Sequence, residues 1–227
     1  MATSKTSKTK VLTKPLYWDE ACRFLSKRDP TLRRIIKTHA GLHLTRRNDA
    51  FTTLARAIVG QQISVKAADA VWRRFTAALN LAVTSRRPFP RIDPQCLVDC
   101  DEETLRAAGL SQRKTVYVRD LARHFSEGLL KPRAWKSLSD EDLIAALTRV
   151  KGIGRWTAEM FLIFHECRPD VFPIADLGLQ KAIRLAYRLG DDASTEAMIV
   201  LSERWQPYRS VATWYLWRSL DPVPVEY

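Results

Sequence analysis

A short glycine-containing segment has the composition expected of a phosphate-binding turn. Gly152 and Gly154 permit backbone conformations that a side chain would block, and they let an anion approach the chain closely. Their amides would face that anion at the positive N-terminal end of the next helix. The neighbouring side chains add charge and a hydroxyl group, at Lys151, Arg155 and Thr157. The alternative interpretation is a glycine cap between two packed helices.

A second segment places an acidic side chain, Asp176, directly before a helical stretch that begins at Leu177. Local sequence alone predicts an N-cap, in which the carboxylate accepts a hydrogen bond from a helix amide. A carboxylate held in this way is also suited to stabilising a positive charge or to activating water. The two roles are compatible because capping fixes the position of the carboxylate.

The elements around these residues are predicted to be helices. Apolar side chains recur at helical spacing, for example at Phe51, Leu54, Ala55 and Ile58. Ser139 and Asp142 form a capping-box pattern before one helix, and a further helix is expected to begin near Arg155. Alternating strand patterns are nearly absent, so we predict an all-α protein.

The composition favours a polyanionic partner. The 227 residues carry a net charge of +12 with an isoelectric point of about 9.8. An excess of this size favours nucleic acid or an anionic membrane surface, although it can also serve only solubility. No run approaches the roughly 18 apolar residues that span a bilayer. The four cysteines match no zinc or iron–sulfur spacing, so we expect reduced thiols.

Four ordered segments resemble one family. Val150–Ala158 resembles the helix-hairpin-helix of the HhH-GPD superfamily of DNA glycosylases, closest to its 3-methyladenine DNA glycosylase II (AlkA/Mag-type) branch. Ile58–Val65 is similar to the DNA-inserting loop of that family, and Val171–Gly178 is similar to the segment that carries its catalytic aspartate. Residues 207–217 resemble its C-terminal helix, and the match covers roughly residues 45 to 220.

The resemblance implies two helical lobes with an active-site cleft between them. One lobe is expected to be continuous, from residue 51 to residue 175. The other is expected to combine residues 15–50 with residues 176–227. Residues 1–14 are expected to form a disordered basic tail, because lysines alternate there with serines and threonines.

The resemblance also implies an activity. The expected protein is a monofunctional DNA glycosylase of base excision repair that flips out alkylated purines of the 3-methyladenine or 7-methylguanine type, hydrolyses their N-glycosidic bond and leaves an abasic site. Asp176 matches the catalytic carboxylate. Trp156 stands where bifunctional members carry a Schiff-base lysine, so no lyase activity is expected. Trp156, Trp217 and Met160 match the base pocket, whereas some relatives carry aromatic residues at Met160 and Arg218. Core packing is the alternative role for the tryptophans.

Further expectations concern the DNA and an ion. Gln62 matches the side chain that fills the space of the flipped base, and Gln61 would contact the neighbouring DNA; the alternative is two exposed amides in a turn. No organic cofactor is expected, but the backbone carbonyls of Thr148, Val150 and Ile153 match positions that hold a structural Na⁺ or K⁺. The expected partner is double-stranded DNA containing a damaged base, bound by a monomer away from membranes. Its location would be the cytoplasmic nucleoid in a bacterium or the nucleus in a eukaryote.

Two other functions remain open from sequence. One is a DNA-binding module without enzymatic activity, which would use the glycine turn only for phosphate contacts. The other is a sister glycosylase that acts on oxidised or deaminated bases.

Overall fold

The computed structural model describes residues 14–45, 49–79 and 90–220, and it confirms the all-α prediction. These ranges contain no strand. A 3₁₀ helix at Pro132–Ser137 precedes α8, and the twelve α-helices are α1 (Trp18–Arg28), α2 (Pro30–Thr38), α3 (Ala50–Gly60), α4 (Val65–Ala78), α5 (Pro94–Asp99), α6 (Glu102–Ala107), α7 (Gln112–Ser126), α8 (Asp140–Leu147), α9 (Arg155–Phe164), α10 (Leu177–Tyr187), α11 (Thr195–Glu203) and α12 (Arg209–Leu220). Within the described ranges, no helix is both long and apolar enough to cross a bilayer.

Side-chain caps set where the helices begin. Ser139 caps α8 by accepting from the Asp142 amide at 3.1 Å, as the capping-box pattern predicts. In a capping box the acidic side chain accepts from the backbone amide of the N-cap residue. Here the Asp142 carboxylate accepts from the Ser139 hydroxyl instead, at 2.6 Å. Both hydrogen bonds stabilise the first turn of α8, the helix that leads into the glycine turn.

The helices pack in two groups. In the first, α1, α2 and α12 pack on one another, α10 packs on α12, and α11 packs on α10. In the second, α3 packs on α4, α7 and α9, while α7 also packs on α5 and α6. The division into lobes stays a prediction, and these pairs are the observation that supports it. Most of the predicted basic tail, residues 1–13, and the last seven residues of the predicted second lobe lie outside the described residues.

A buried carboxylate ties the first group together. Asp29, which is 1% exposed, caps α2 by accepting from the amides of Thr31 and Leu32. Its other oxygen accepts from the Tyr187 hydroxyl at 2.8 Å and from the Trp205 indole at 3.1 Å. Four donors satisfy the buried charge and join the N-terminal helices to the C-terminal ones.

Candidate active site

Asp176 is the N-cap of α10, as local sequence predicts. One of its carboxylate oxygens, Oδ1, accepts from the Leu179 amide at 2.6 Å. The carboxylate is therefore fixed at the positive end of a helix dipole, where a negative charge is stabilised.

Two tryptophans from distant parts of the chain converge on this carboxylate. The Trp156 indole nitrogen, on α9, donates to Oδ2 of Asp176 at 2.9 Å. The Trp217 indole nitrogen, on α12, donates to Oδ1 at 3.0 Å. With the Leu179 amide, three N–H groups now orient the carboxylate and complement its charge. These contacts bring together three of the predicted site residues.

An aromatic surface borders the carboxylate. Trp156 is 38% exposed, whereas Trp217 is half-buried and stacks on Phe164 with ring centroids 5.8 Å apart. Leu177, the residue after Asp176, is 77% exposed. Met160 is 5% exposed and packs in the hydrophobic core, so its pocket role stays a prediction.

The glycine turn joins α8 to α9, and its two glycines have different surroundings. Gly152 has a φ of +83°, and a Cβ added there would lie 2.2 Å from the Tyr117 ring. Gly154 is the N-cap of α9 in an extended conformation, and a Cβ added there would meet no described atom within 4 Å. The positive φ and the close Tyr117 ring thus require a glycine at position 152. At position 154 there is open space beside the N-terminus of α9.

The charged residues of the turn are not equally available. Lys151 is exposed, but Thr157 is buried on α9. The Arg155 guanidinium contacts both carboxylate oxygens of Glu141, with Nη1 2.9 Å from Oε2, and its Nε donates to Glu159 at 2.9 Å. These hydrogen bonds lower the pKa of Glu141 and raise that of Arg155. A DNA contact by Arg155 stays a prediction, and it would compete with two carboxylates.

A second carboxylate lies close enough to Asp176 to interact with it. Glu159 is 5% exposed; burial raises its pKa, Arg155 opposes that rise, and the charge of Asp176 adds to it. The Arg155 guanidinium contacts Glu159 and Glu141, so it offsets negative charge at the N-terminal end of α9.

The loop between α3 and α4 has one residue turned inward and one turned outward. The Gln61 side chain donates to the Gly152 carbonyl at 2.8 Å, so it contacts the glycine turn. Gln62 is exposed and has a φ of 58°, while Ser64 caps α4. Gln62 is placed to project from the loop; its wedge role and a DNA contact by Gln61 stay predictions.

The carbonyl groups of the turn are compatible with the expected cation. The Val150 carbonyl accepts from the Ile153 amide at 3.1 Å, and it keeps a second lone pair. Carbonyl oxygens are neutral, hard ligands of the kind that bind K⁺ in proteins. The chemistry of the carbonyl donors at Thr148, Val150 and Ile153 is thus compatible with a monovalent ion, and the ion site stays a prediction.

Comparison with known proteins decides the family. A model of the HhH-GPD superfamily of base excision DNA repair proteins matches residues 55–207. The chain belongs to this superfamily. It is 35% identical to DNA-3-methyladenine glycosylase 1 of Schizosaccharomyces pombe over 86% of this chain and 84% of that protein. It is 33% identical to a putative DNA-3-methyladenine glycosylase of Bacillus subtilis over 84% of this chain and 66% of that protein.

Solved HhH-GPD structures agree with the sequence relatives. The S. pombe 3-methyladenine DNA glycosylase in complex with abasic DNA has a TM-score of 0.74 and 33% identity, covering 88% of this chain and 96% of that one. A DNA-3-methyladenine glycosidase of Bacillus halodurans has a TM-score of 0.79 and 32% identity, covering 88% and 89%. These findings confirm the family recognised from four short segments.

Sequence reasoning missed three residues of α7, two of which contact the HhH-GPD hairpin and one of which contacts the end of α3. Tyr117 packs against Gly152, and the Asp120 carboxylate accepts from the Lys151 amide at 2.9 Å. Lys114 donates to the Val59 carbonyl at 2.7 Å, near the end of α3. Asp120 lies 31 residues from Lys151 in sequence, so no local pattern signals the contact.

Gly178 gives the first testable prediction. A Cβ at this position would lie 3.1 Å from Oδ1 of Asp176, closer than ordinary contact. In Gly178→Ala the carboxylate must move by a few tenths of an ångström, and its indole contacts must change. Because alanine favours helix more than glycine, we expect no fall in the melting temperature but a clear loss of the site's activity. Thermal denaturation beside single-turnover kinetics checks this, and full activity in the variant would contradict it.

Proposed function

We propose that this protein is a monofunctional DNA glycosylase that removes alkylated purines, of the 3-methyladenine or 7-methylguanine type, from double-stranded DNA. One observation carries the proposal: the Asp176 carboxylate accepts hydrogen bonds from two tryptophan indoles, one of which lies two residues after Gly154 of the hairpin. An anion beside an aromatic surface is suited to a flipped, positively charged base and to the sugar it leaves. The relatives named DNA-3-methyladenine glycosylase support the substrate class.

DNA binding is assigned to two neighbouring turns. The open N-terminus of α9 at Gly154 would receive a backbone phosphate, with Lys151 adding positive charge. Gln62 would fill the space of the flipped nucleotide and hydrogen-bond its orphaned partner. Flipping costs a few kcal/mol of stacking and pairing, and these contacts would offset that cost.

The proposed chemistry is hydrolysis at the sugar carbon. As the glycosidic bond breaks, its electron pair leaves with the purine, and the sugar acquires oxocarbenium character. The Asp176 carboxylate would stabilise that positive charge, and the bound duplex would cover the site and strengthen the interaction. A water molecule then forms a bond to the sugar carbon and transfers its proton to the Asp176 carboxylate or to bulk water, leaving an abasic site. An alkylated purine already carries positive charge, so it leaves as a neutral base and needs little acid catalysis.

Trp156 supports the absence of lyase chemistry. An indole nitrogen carries no nucleophilic lone pair of the kind that forms a Schiff base with the sugar. Its hydrogen bond to Asp176 instead makes it part of the carboxylate's support. We therefore propose water as the only nucleophile.

The remaining features complete the proposal. The carbonyls of Thr148, Val150 and Ile153 would hold Na⁺ or K⁺, which would add positive charge to the hairpin. The protein would act as a monomer, in the nucleoid of a bacterium or the nucleus of a eukaryote.

The deciding experiment compares release of 3-methyladenine, 7-methylguanine, hypoxanthine and an oxidised purine from matched duplexes. We expect release of the two methylated bases, with abasic sites that break only after alkali. Preferential release of an oxidised or deaminated base would favour a glycosylase that acts on such bases instead of alkylated purines. Duplex binding without any release would favour a non-enzymatic module, and a covalent adduct trapped by borohydride would contradict the monofunctional assignment.

A further inference from the structure

One face of α7 contacts the hairpin and the end of α3, the helix that leads into the inserting loop. Lys114 donates to the carbonyl of Val59, the residue of α3 directly before the inserting loop Gly60–Ser64. One turn later, the Tyr117 ring packs against Gly152 of the hairpin. A further turn on, the Asp120 carboxylate accepts from the Lys151 amide. The spacing of three residues keeps these side chains on one stripe of the helix.

Of these three side chains, Asp120 is expected to make the strongest hydrogen bond, because its carboxylate is charged and buried. It is 8% exposed, and its Oδ2 lies 2.9 Å from the hairpin amide. Its Oδ1 accepts from Arg123 at 3.1 Å, and His124 lies 3.5 Å from Oδ2. A hydrogen bond from a backbone amide to a carboxylate is stronger than one between neutral groups. Asp120 therefore fixes the hairpin backbone at the residue before Gly152.

Gln61 connects the inserting loop to the hairpin by a direct hydrogen bond. Its side-chain amide donates to the Gly152 carbonyl at 2.8 Å, across 91 residues of sequence. The inserting loop thus contacts the hairpin directly, at the same glycine on which Tyr117 packs. This hydrogen bond, together with the packing of the hairpin and of α3 against α7, links the positions of the two turns.

We propose that Asp120 and Gln61 are positioning residues that hold the hairpin and the inserting loop in fixed register on α7, so that the phosphate contact and the Gln62 wedge act as one unit. Gln61 acts through the protein rather than through DNA. A fixed register matters because the wedge must enter the duplex at a set distance from the gripped phosphate. The inference rests on the proposed DNA binding, but it requires no particular base as substrate.

The test measures affinity for a duplex with one stable abasic-site analogue and for the same undamaged duplex, well below the melting temperature. Asp120→Ala and Gln61→Met should each weaken abasic-duplex binding by about tenfold, the loss expected for one charge-assisted or well-placed hydrogen bond. Asp120→Asn should stay near wild type, because its side-chain oxygen still accepts from the Lys151 amide. Arg123→Ala is the matched control; it removes an exposed partner of Asp120 without touching the hairpin.

A double-mutant cycle separates fixed register from two independent contacts. If Asp120→Ala and Gln62→Ala act through one unit, their combined loss of affinity will be smaller than the product of the single losses. Multiplicative losses would overturn the proposal, as would a lowered melting temperature with unchanged affinity. Should Asp120→Ala not fold, Gln61→Met combined with Gln62→Ala gives the same comparison. Absent base release with intact coupling would reject only the enzymatic function, whereas absent duplex binding would reject both proposals.

Discussion

Asp176→Asn is expected to keep duplex binding nearly intact and to lower base release by at least about a hundredfold, the effect of removing one strong electrostatic contact from a transition state. Asparagine is as good an N-cap as aspartate, so the bond to the Leu179 amide and the start of α10 should survive. What disappears is the negative charge that stabilises the oxocarbenium-like sugar. Single-turnover release from a duplex with one 7-methylguanine measures the loss.

The hydrogen-bond geometry adds a second cost to this substitution. The carboxylate accepts from three N–H groups, but an asparagine amide group presents N–H donors on one side. If the side-chain oxygen stays on Leu179 and Trp217, the amide nitrogen faces the Trp156 indole, donor against donor. Trp156 would then turn away, and the aromatic surface would change with the charge.

A charge-matched control distinguishes this effect from a general change in charge. Asp191 is exposed in the turn after α10, so Asp191→Asn alters the net charge equally and should leave release unchanged. Base release at the wild-type rate by Asp176→Asn would contradict a catalytic role for Asp176. Equal losses in both variants would point to electrostatics of the whole protein instead.

Local physics explains what sequence could predict. Capping at Ser139 and at Asp176, the glycine turn and the start of α9 all depend on residues within four positions of one another. Helical periodicity of apolar residues similarly reports which face is buried, as at Phe51, which is 2% exposed. The family followed from the order of these local segments along the chain.

Contacts between distant residues explain what sequence could not predict. Trp156 precedes Asp176 by 20 residues and Trp217 follows it by 41, yet both donate to the same carboxylate. Only the packing of α9, α10 and α12 brings them together. From sequence alone Arg155 is predicted to bind phosphate, but in the structure its guanidinium is hydrogen-bonded to Glu141, fourteen residues earlier. A charged residue in a binding motif therefore cannot be assigned to DNA until its protein partners are known.

The same added methyl group should destabilise the protein far more at Gly152 than at Gly154. Gly152→Ala places a side chain at a φ of +83° and against the Tyr117 ring. Together these should reduce the free energy of unfolding by about 2 to 4 kcal/mol. Gly154→Ala meets open space at an ordinary φ of −87°, so its cost should be about 1 kcal/mol or less, since alanine is a poorer N-cap. Denaturant unfolding of both variants measures the difference.

DNA affinity should single out the second variant. If a phosphate approaches the N-terminus of α9, the methyl group of Gly154→Ala occupies the space it needs and separates it from the amides. We expect a loss of about tenfold or more in duplex affinity from a well-folded protein, with a shallower dependence on salt because a phosphate contact is lost. Wild-type affinity and salt dependence in this variant would contradict the assignment and would indicate that the phosphate binds elsewhere on the surface. The glycine at 154 would then serve only the helix start, because neither strain nor packing requires it there.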